Sequence, residues 1–285
     1  MRTLGNWLAS APLGLALLLA WPHPCQADAV LRYGAGSNPA DIQGMIDLFR
    51  TDLGGVNNGV GGGPFTTGFR AIDWDGVPDA SAAPNDLASD FFNTISPRGA
   101  QFATPGTGFQ VSATAASGTA VRFGNIDPSY ASLFPTFSAE RLFAALGSPV
   151  MDINFFVPGS ATTPGYVNGF GAVFGDVDLG ATTSIELFDT ADSSLFTGLV
   201  PPSPDGGLSF LGVFFNAGEQ VARVRITSGN AALSAGVLDG GAIDLVVMDD
   251  FIYGEPIAVP EPGTWALLCL GALALMAKAL RCRRS

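Results

Sequence analysis

Between Asp28 and Ala258 the chain contains no cysteine, no histidine and no lysine. A body of this length without cysteine cannot be held by disulfides, so it must be stabilised by its own hydrophobic core, and it is long enough to form one. The same absences exclude Ser–His–Asp and Cys–His nucleophiles, Schiff-base lysines and His- or Cys-based zinc sites. Carboxylate chemistry remains: a glycosidase, an aspartyl dyad or a site for a cation that prefers oxygen ligands.

The body is strongly acidic. It holds 24 of the chain's 25 Asp and Glu residues and eight of its 13 basic residues, all arginine, which gives a net charge of −16. Such a surface repels nucleic acid and anionic lipid, and it suits divalent cations or neutral partners such as sugars. Solubility outside the cell is the simpler explanation of the same charge. We expect no nucleic-acid partner.

The body follows a pattern typical of short antiparallel strands separated by turns rich in Gly, Pro, Asn and Asp. Arg223 and Arg225 alternate with Val224 and Ile226, which predicts a strand with one solvated face. We therefore predict one all-β domain over residues 28–258, a jelly-roll-like antiparallel β-sandwich with one or two short helices. The predicted strands cover residues 30–33, 69–74, 108–114, 120–123, 150–157, 169–176, 184–189, 195–199, 208–215, 221–228 and 242–253.

One helix has clear boundaries in the sequence. Asn38 is a suitable N-cap and Pro39 suits the first helical position. Apolar residues then recur at helical spacing, at Ile42, Ile46, Phe49 and Leu53. Gly54 ends the pattern, and we expect the helix to pack on the edge or end of a sheet. Residues 138–147 are a candidate for a second short helix.

Residues 1–27 fit a secretory signal peptide, because positive charge precedes an apolar run over residues 8–21. Residues 25–27 offer small side chains for cleavage, and residues 27–29 are the alternative position. Cys25 suggests a lipoprotein, but the residues before it are not the small aliphatic ones that lipidation requires. We expect export by the Sec machinery without a lipid anchor.

Residues 264–280 predict a short membrane helix, since 17 residues at about 1.5 Å rise span about 25 Å. Trp265 can lie in one membrane interface while the Lys278 side chain extends toward the other. The cations at this end predict a cytoplasmic carboxyl terminus, with the body outside; they are Lys278, Arg281, Arg283 and Arg284.

Pro260, Glu261 and Pro262 stand directly before this helix and keep the preceding chain extended. The tripeptide, the helix and the basic tail, together residues 259–285, resemble the PEP-CTERM sorting signal of exported Gram-negative bacterial proteins. The resemblance implies processing by a membrane enzyme of the exosortase type, followed by display at the cell surface or release. Hydropathy and charge alone are equally consistent with a plain single-span anchor.

Asp73, Asp75 and Asp79 form the best candidate cation site, because alternate carboxylates on a turn can converge on calcium. The stretch does not match an EF-hand loop, since Pro78 and Pro84 stand where glycine and glutamate are required. The alternative is a turn in which the aspartates accept backbone N–H bonds.

Asp176 with Asp178 is a second candidate cation site, and Asp249 with Asp250 is a third. The favoured alternative for each pair is a turn after a strand, because aspartates that precede a glycine usually form turns. The stretches around residues 74–79 and 170–178 also resemble those of other exported bacterial β proteins, a resemblance that implies no activity.

Two functions fit these features. The first is a non-enzymatic surface or matrix protein, associated with exopolysaccharide in a biofilm, with calcium as a candidate stabilising ion and no catalytic residues. The second is a carboxylate-based glycoside hydrolase or a lectin-like carbohydrate-binding module on a jelly roll. Aromatic side chains are the candidates for stacking on sugar rings; they are Trp74, Tyr33, Tyr130, Tyr166 and Tyr253.

Overall fold

The computed structural model describes residues 29–63, 65–260 and 263. The predicted signal peptide and membrane helix lie outside these residues. The strands, in chain order, are β1 (Val30–Gly36), β2 (Phe69–Ile72), β3 (Ala100–Ala103), β4 (Gly108–Val111), β5 (Phe143–Leu146), β6 (Val150–Phe155), β7 (Gly165–Tyr166), β8 (Gly169–Gly175), β9 (Ser184–Phe188), β10 (Ser194–Leu199), β11 (Leu208–Phe214), β12 (Arg223–Thr227), β13 (Val247–Gly254) and β14 (Ile257–Ala258). The α-helices are α1 (Pro39–Asp52), α2 (Phe91–Thr94) and α3 (Tyr130–Leu133).

The strands form two antiparallel sheets that face each other, which confirms the predicted all-β fold. The larger sheet has the order β1-β11-β8-β13-β5-β4, and β2 also pairs with β13. The smaller sheet has the order β10-β9-β12-β6-β3, and β14 pairs with β7 separately. Spatial neighbours such as β1 and β11 are far apart in sequence, so long-range pairing holds the sandwich together.

The main core lies between the two sheets. It is formed by every second side chain of the strands, because successive side chains point to opposite faces of a sheet. In β12, Val224 and Ile226 are fully buried while Arg223 and Arg225 are half-buried on the other face, as predicted. Arg225 forms an ion pair with Asp152 on the neighbouring strand β6, at 2.8 Å from Nε to Oδ1. The smaller sheet therefore has one apolar face and one polar, solvated face.

Helix α1 covers part of the outer face of the larger sheet. It begins after Asn38, whose backbone N–H donates to Asp41 at 2.9 Å, and it runs as predicted. The helix lies over the edge strand β1, as expected, and its apolar face extends across β11 and β8. Gly171 and Gly212 permit this contact: a Cβ atom at either would lie 2.8 Å from the ring of Phe49.

Helix α3 covers another part of the same face. Tyr130 and Phe134 pack there with Leu245 and Val247 in a separate apolar cluster. The Tyr130 hydroxyl donates to the carbonyl of Val237 at 2.7 Å, which fixes the long segment between β12 and β13 against α3. Strands β8 and β13 are buried along their whole length, because the larger sheet is covered on both faces.

Two predicted elements are wrong. The segment at residues 138–147, a candidate helix, is irregular at its start and then forms strand β5, in which Phe143 faces the core between the sheets and Ala144 faces the outer cluster. A run of apolar residues that is buried on both faces has lost the alternation that distinguishes a strand. The strand predicted at residues 120–123 is a turn, with Arg122 and Phe123 in the left-handed region at φ 51° and 66°.

Candidate functional site

Five aspartates lie together at one end of the larger sheet, and we call them the acidic cluster: Asp176, Asp178, Asp205, Asp239 and Asp244. The sheet topology explains their meeting. Strand β8 lies between β11 and β13, and its last residue pairs with the first residue of each. The residues that follow β8 therefore meet the loops that precede its two antiparallel neighbours.

Asp176 is the most deeply placed member of the cluster. It is fully buried, and its backbone takes the left-handed conformation at φ 67°. Its N–H donates to the carbonyl of Gly207 at 2.9 Å, and its Oδ1 accepts the N–H of Gly206 at 2.8 Å. Its second oxygen, Oδ2, is buried without a hydrogen-bond partner. Half of this carboxylate is therefore unsatisfied inside the protein.

A hydrogen bond from a backbone N–H to a carboxylate connects Asp178 with Asp244. Asp244 is fully buried, and its Oδ1 accepts the N–H of Asp178 at 3.0 Å while its Oδ2 accepts the Thr182 hydroxyl. Asp239 accepts the N–H of Leu245 at 2.8 Å. These bonds fix the two loops relative to each other and leave Asp178 at the centre of the cluster.

The five carboxylates form two overlapping groups. Oxygens of Asp176, Asp178 and Asp205 all lie within 4.8 Å of one another, and so do those of Asp178, Asp239 and Asp244. Two ligands on opposite sides of a calcium ion are about 4.8 Å apart, since calcium–oxygen distances are about 2.4 Å. Both groups therefore have the spacing of a calcium site.

Crowding and burial raise the pKa of two of these carboxyls. Burial, with the negative charges of Asp178, Asp239 and Asp205, raises the pKa of Asp176 to about 7, against the lowering effect of the Gly206 N–H bond. Burial and the charge and close contact of Asp239 raise the pKa of Asp178 to about 6. Ionising the whole cluster at neutral pH is therefore unfavourable unless positive charge is supplied.

Within residues 29–63 and 65–260, no arginine forms an ion pair with the acidic cluster. The ion pairs among the described residues connect the body's arginines to other carboxylates, and none of those pairs includes a member of the acidic cluster. The cluster opens into a depression of about 660 Å³, lined by Asp178, Asp205 and Asp239 together with Ser129 and Ser132. Water and ions can therefore reach it from outside.

Two of the three aspartates predicted at residues 73–79, Asp75 and Asp79, have protein partners. Oδ1 of Asp75 accepts the N–H groups of Glu140 at 2.9 Å and Arg141 at 3.0 Å, and the Arg141 guanidinium donates to Asp79. Asp73 is exposed. None of the three belongs to either group of converging carboxylates in the described part of the chain. The calcium site predicted there stays a prediction.

Asp249 and Asp250 are a second buried acidic pair, at a bulge in β13. Asp249 accepts the N–H of Phe137 at 2.7 Å and the Ser138 hydroxyl at 2.9 Å. Asp250 lies 3.5 Å from Arg50 through Oδ2, and its Oδ1 has no hydrogen-bond partner. Burial and mutual repulsion raise the pKa of Asp249 well above its usual range, and burial raises that of Asp250.

Three members of the acidic cluster were missed by sequence reasoning: Asp205, Asp239 and Asp244. Two of them carried a local signal, because Asp205 and Asp239 each begin an Asp-Gly-Gly turn. Such turns are common and predict no site by themselves. These aspartates are brought together because β8 pairs with β11 and β13. The local sequence pattern does not predict which strands are neighbours.

Most of the aromatic candidates for sugar contact are unavailable. Trp74 is buried and stacks on Phe143, with ring centroids 4.0 Å apart, and Tyr130 and Tyr253 are fully buried. Tyr33 is 60% exposed on the edge strand β1. It lies in an apolar groove of about 490 Å³, whose other side chains include Leu31, Phe196, Leu199 and Pro202.

Comparison with known proteins identifies the carboxyl-terminal segment. Residues 258–284 match the PEP-CTERM protein-sorting motif, which marks an exported protein that is processed by an exosortase. This match confirms the resemblance based on Pro260, Glu261 and Pro262. Among the described residues, no helix is long and apolar enough to cross a membrane, and the predicted spanning helix lies beyond them.

The comparisons with curated proteins and with solved structures add little to this match. No curated protein matches the chain. One similar solved structure is that of a His 62 mutant of the lectin binding domain of lectinolysin, complexed with Lewis b. It is 14% identical, covers 52% of this chain and 92% of that one, and has a TM-score of 0.23. A likeness this slight carries no argument about fold or ligand.

Proposed function

We propose that the body is a non-enzymatic cell-surface or matrix module that associates with exopolysaccharide after its tail has been processed. The observation that carries this proposal is the sorting motif at residues 258–284, attached to a sandwich without histidine, lysine or cysteine. A structural protein of this kind requires export, a surface address and a stable fold. It requires no proton-transfer group at neutral pH.

The processing step is tested by replacing Pro260, Glu261 and Pro262 with alanine. We expect the wild-type body to be recovered from the surface or medium without its basic terminus. The variant should stay in the membrane with the terminus intact, because the enzyme has lost its recognition sequence. Mass spectrometry of both fractions measures the outcome. An intact terminus through Ser285 in extracellular wild-type material would contradict processing.

The apolar groove around Tyr33 is the surface that best suits a neutral polysaccharide. An exposed tyrosine offers a ring face for sugar C–H groups, while Leu199 and Pro202 extend the apolar floor. A surface of net negative charge does not repel a neutral glycan, unlike nucleic acid or anionic lipid.

Binding is tested by retention of the full chain, in mild detergent, on the host's exopolysaccharide and on a panel of α- and β-glucans. We expect retention without release of reducing sugar. Tyr33→Ala should weaken retention several-fold, and Tyr33→Phe should preserve it, because stacking needs the ring rather than the hydroxyl. If Tyr33→Ala is retained as strongly as Tyr33→Phe and the wild type, the groove does not contribute to binding.

A carboxylate glycoside hydrolase, or a lectin-like module at the depression, is the second candidate. The favouring observation is Asp178, a carboxyl with a raised pKa in an open depression beside Asp205 and Asp239. A glycosidase uses two carboxyls that face each other across the sugar, whereas five crowd together here. Steady sugar release that is lost in Asp178→Asn would favour the hydrolase.

Calcium stabilisation through Asp73, Asp75 and Asp79 also remains a proposal. Its support is the spacing of the three carboxylates on one turn and the acidity of the body. The partners of Asp75 and Asp79 count against it, because a calcium ion would compete with two N–H donors and a guanidinium.

A further inference from the structure

We propose that Asp176, Asp178 and Asp205 bind one calcium ion at the end of strand β8, with Asp239 and Asp244 adjoining Asp178 on its other side. This site is distinct from the one predicted at residues 73–79. The binding does not depend on the proposed matrix function. Its occupancy in the cell rests on export, since calcium is abundant outside the cytoplasm.

The unsatisfied oxygen of Asp176 is the observation that points to a ligand. Its side chain is fully buried, and one oxygen already accepts the Gly206 N–H. The other oxygen is buried with no partner, although an oxygen of this carboxylate lies within 4.8 Å of those of Asp178 and Asp205. A buried carboxylate oxygen without a partner is costly, and a bound cation removes that cost.

The uncompensated charge is the second observation. The described ion pairs take up arginines elsewhere in the body, while the five carboxylates of the acidic cluster have none. A divalent cation among Asp176, Asp178 and Asp205 would neutralise most of their charge. It would also convert repulsion among the loops into attraction.

The donor set selects calcium. All ligands are carboxylate oxygens on loops, which suit a hard cation with six to eight oxygen ligands and flexible geometry. Zinc and copper prefer nitrogen or sulfur ligands, and the body has neither His nor Cys. The open depression admits the waters that complete the coordination of calcium. Magnesium would keep more of its own water and gain less from this set.

Calcium at this position would join the loop that precedes β11 to the loop that follows β8, and the hydrogen bond from the Asp178 N–H to Asp244 connects the loop that precedes β13. Those strands are neighbours in the larger sheet, so the ion would close one end of the sandwich. The groups facing Asp178 are all acidic or neutral, since Ser129 and Ser132 line the other side of the depression. No cationic side chain is among the described residues that line this depression.

The test uses the full chain, purified in mild detergent and stripped of metal with a chelator. Calcium chloride is titrated by calorimetry, and thermal unfolding is followed in calcium and in chelator. We expect binding of one calcium ion and a melting temperature raised by several degrees in millimolar calcium, because a ligand that binds only the folded state adds RT ln(1 + [L]/Kd). Magnesium at the same concentration should raise it less.

Two variants locate the ion. Asp205→Asn removes an exposed ligand without disturbing the core, and Asp178→Asn removes the central one. Each should lose most of the calcium-dependent shift while melting in chelator at or above the wild-type temperature, since repulsion has been reduced. Asp86→Asn is the matched control, because Asp86 is exposed and outside both groups of carboxylates, and it should keep the full shift.

The proposal is overturned if the wild-type protein melts at the same temperature in calcium and in chelator. It is equally overturned if Asp205→Asn and Asp178→Asn both keep the full calcium-dependent shift. If the wild-type protein shows the calcium-dependent melting shift but is not retained on polysaccharide, only the proposed function is contradicted. The two proposals can therefore fail separately.

Discussion

Two of the buried carboxylate sites among the described residues differ in how their charge is balanced. At the end of β13, Glu255 meets Arg70 in a two-bond ion pair, with Nη2–Oε1 and Nε–Oε2 distances of 2.7 and 2.8 Å. Asp176 is also buried, in the acidic cluster, and none of the ion pairs in the described part of the chain includes it. The chain can therefore neutralise a buried carboxylate with its own side chains and does so at one site. At the other, none of the ion pairs among the described residues neutralises the carboxylate.

The Arg70–Glu255 pair also organises the glycine-rich loop. Arg70 donates through Nη1 to the carbonyls of Gly59 and Gly61 at 3.0 Å, and Asn58 donates to Glu255 at 2.8 Å. One internal cation thus fixes a segment that has little apolar surface of its own. Calcium is proposed to do the same for the loops at the acidic cluster.

Breaking the internal pair should give the largest effect. Either Arg70→Met or Glu255→Gln leaves one buried charged group without its partner, which costs about 3–5 kcal/mol of unfolding free energy. Chemical unfolding followed by circular dichroism measures the loss. Neither variant should change the calcium-dependent melting shift by more than a small fraction.

The double variant Arg70→Met/Glu255→Leu provides the control. It removes both charges together, so it should be more stable than the sum of the two single losses predicts. Strict additivity would contradict the view that the pair, rather than each residue's packing, stabilises this site.

Much of the fold could be predicted because it depends on local patterns. The alternation of Arg223 with Val224 identified β12, and Asn38 with Pro39 located the start of α1. Residues such as Ala144 were misread because both faces of the larger sheet are covered, so burial does not alternate there. Local periodicity reports one buried face and is lost when there are two.

The acidic cluster could be predicted only in part. Asp176 and Asp178 are neighbours in sequence and were recognised as a candidate pair. Asp205, Asp239 and Asp244 come from two other loops, which are brought in by the pairing of β8 with β11 and β13. Arg141, in turn, supplies partners to Asp75 and Asp79 from more than 60 residues away. Partners at this separation decide whether an Asp-x-Asp turn is satisfied or available to an ion.

The Asp249–Asp250 pair is intermediate between the neutralised Arg70–Glu255 pair and the unpaired acidic cluster. Its titration should change the free energy of unfolding by less than breaking the Arg70–Glu255 pair does. Its nearest charges are Arg50 and Asp73, and Ser138 donates a hydrogen bond to it. The folded-state pKa values of both are raised above the unfolded value, so the folded protein holds a proton that the unfolded chain has released. Stability should therefore fall as the pH rises from about 4 through the folded pKa values.

Asp250→Asn should reduce this fall. It removes one titrating group, and it removes the charge that helps to raise the pKa of Asp249. Unfolding free energies at about pH 5 and pH 8 measure the difference between variant and wild type, and the acidic cluster cancels because both proteins contain it. Asp86→Asn, with its exposed carboxylate, should keep the wild-type slope. A slope unchanged in Asp250→Asn would mean that the buried pair does not titrate in this range.

The smallest effect should come from Asp75→Asn, the variant that most directly tests the comparison. The asparagine oxygen can still accept the N–H groups of Glu140 and Arg141, so we expect a stability loss of about 1 kcal/mol or less. The calcium-dependent melting shift should equal that of the wild type, because Asp75 is satisfied within the protein. Loss of the shift in Asp75→Asn, together with its retention in Asp178→Asn, would place the ion at residues 73–79. A carboxylate that already has protein donors would then have bound calcium in preference to one without them, and the distinction between satisfied and unsatisfied sites would fail.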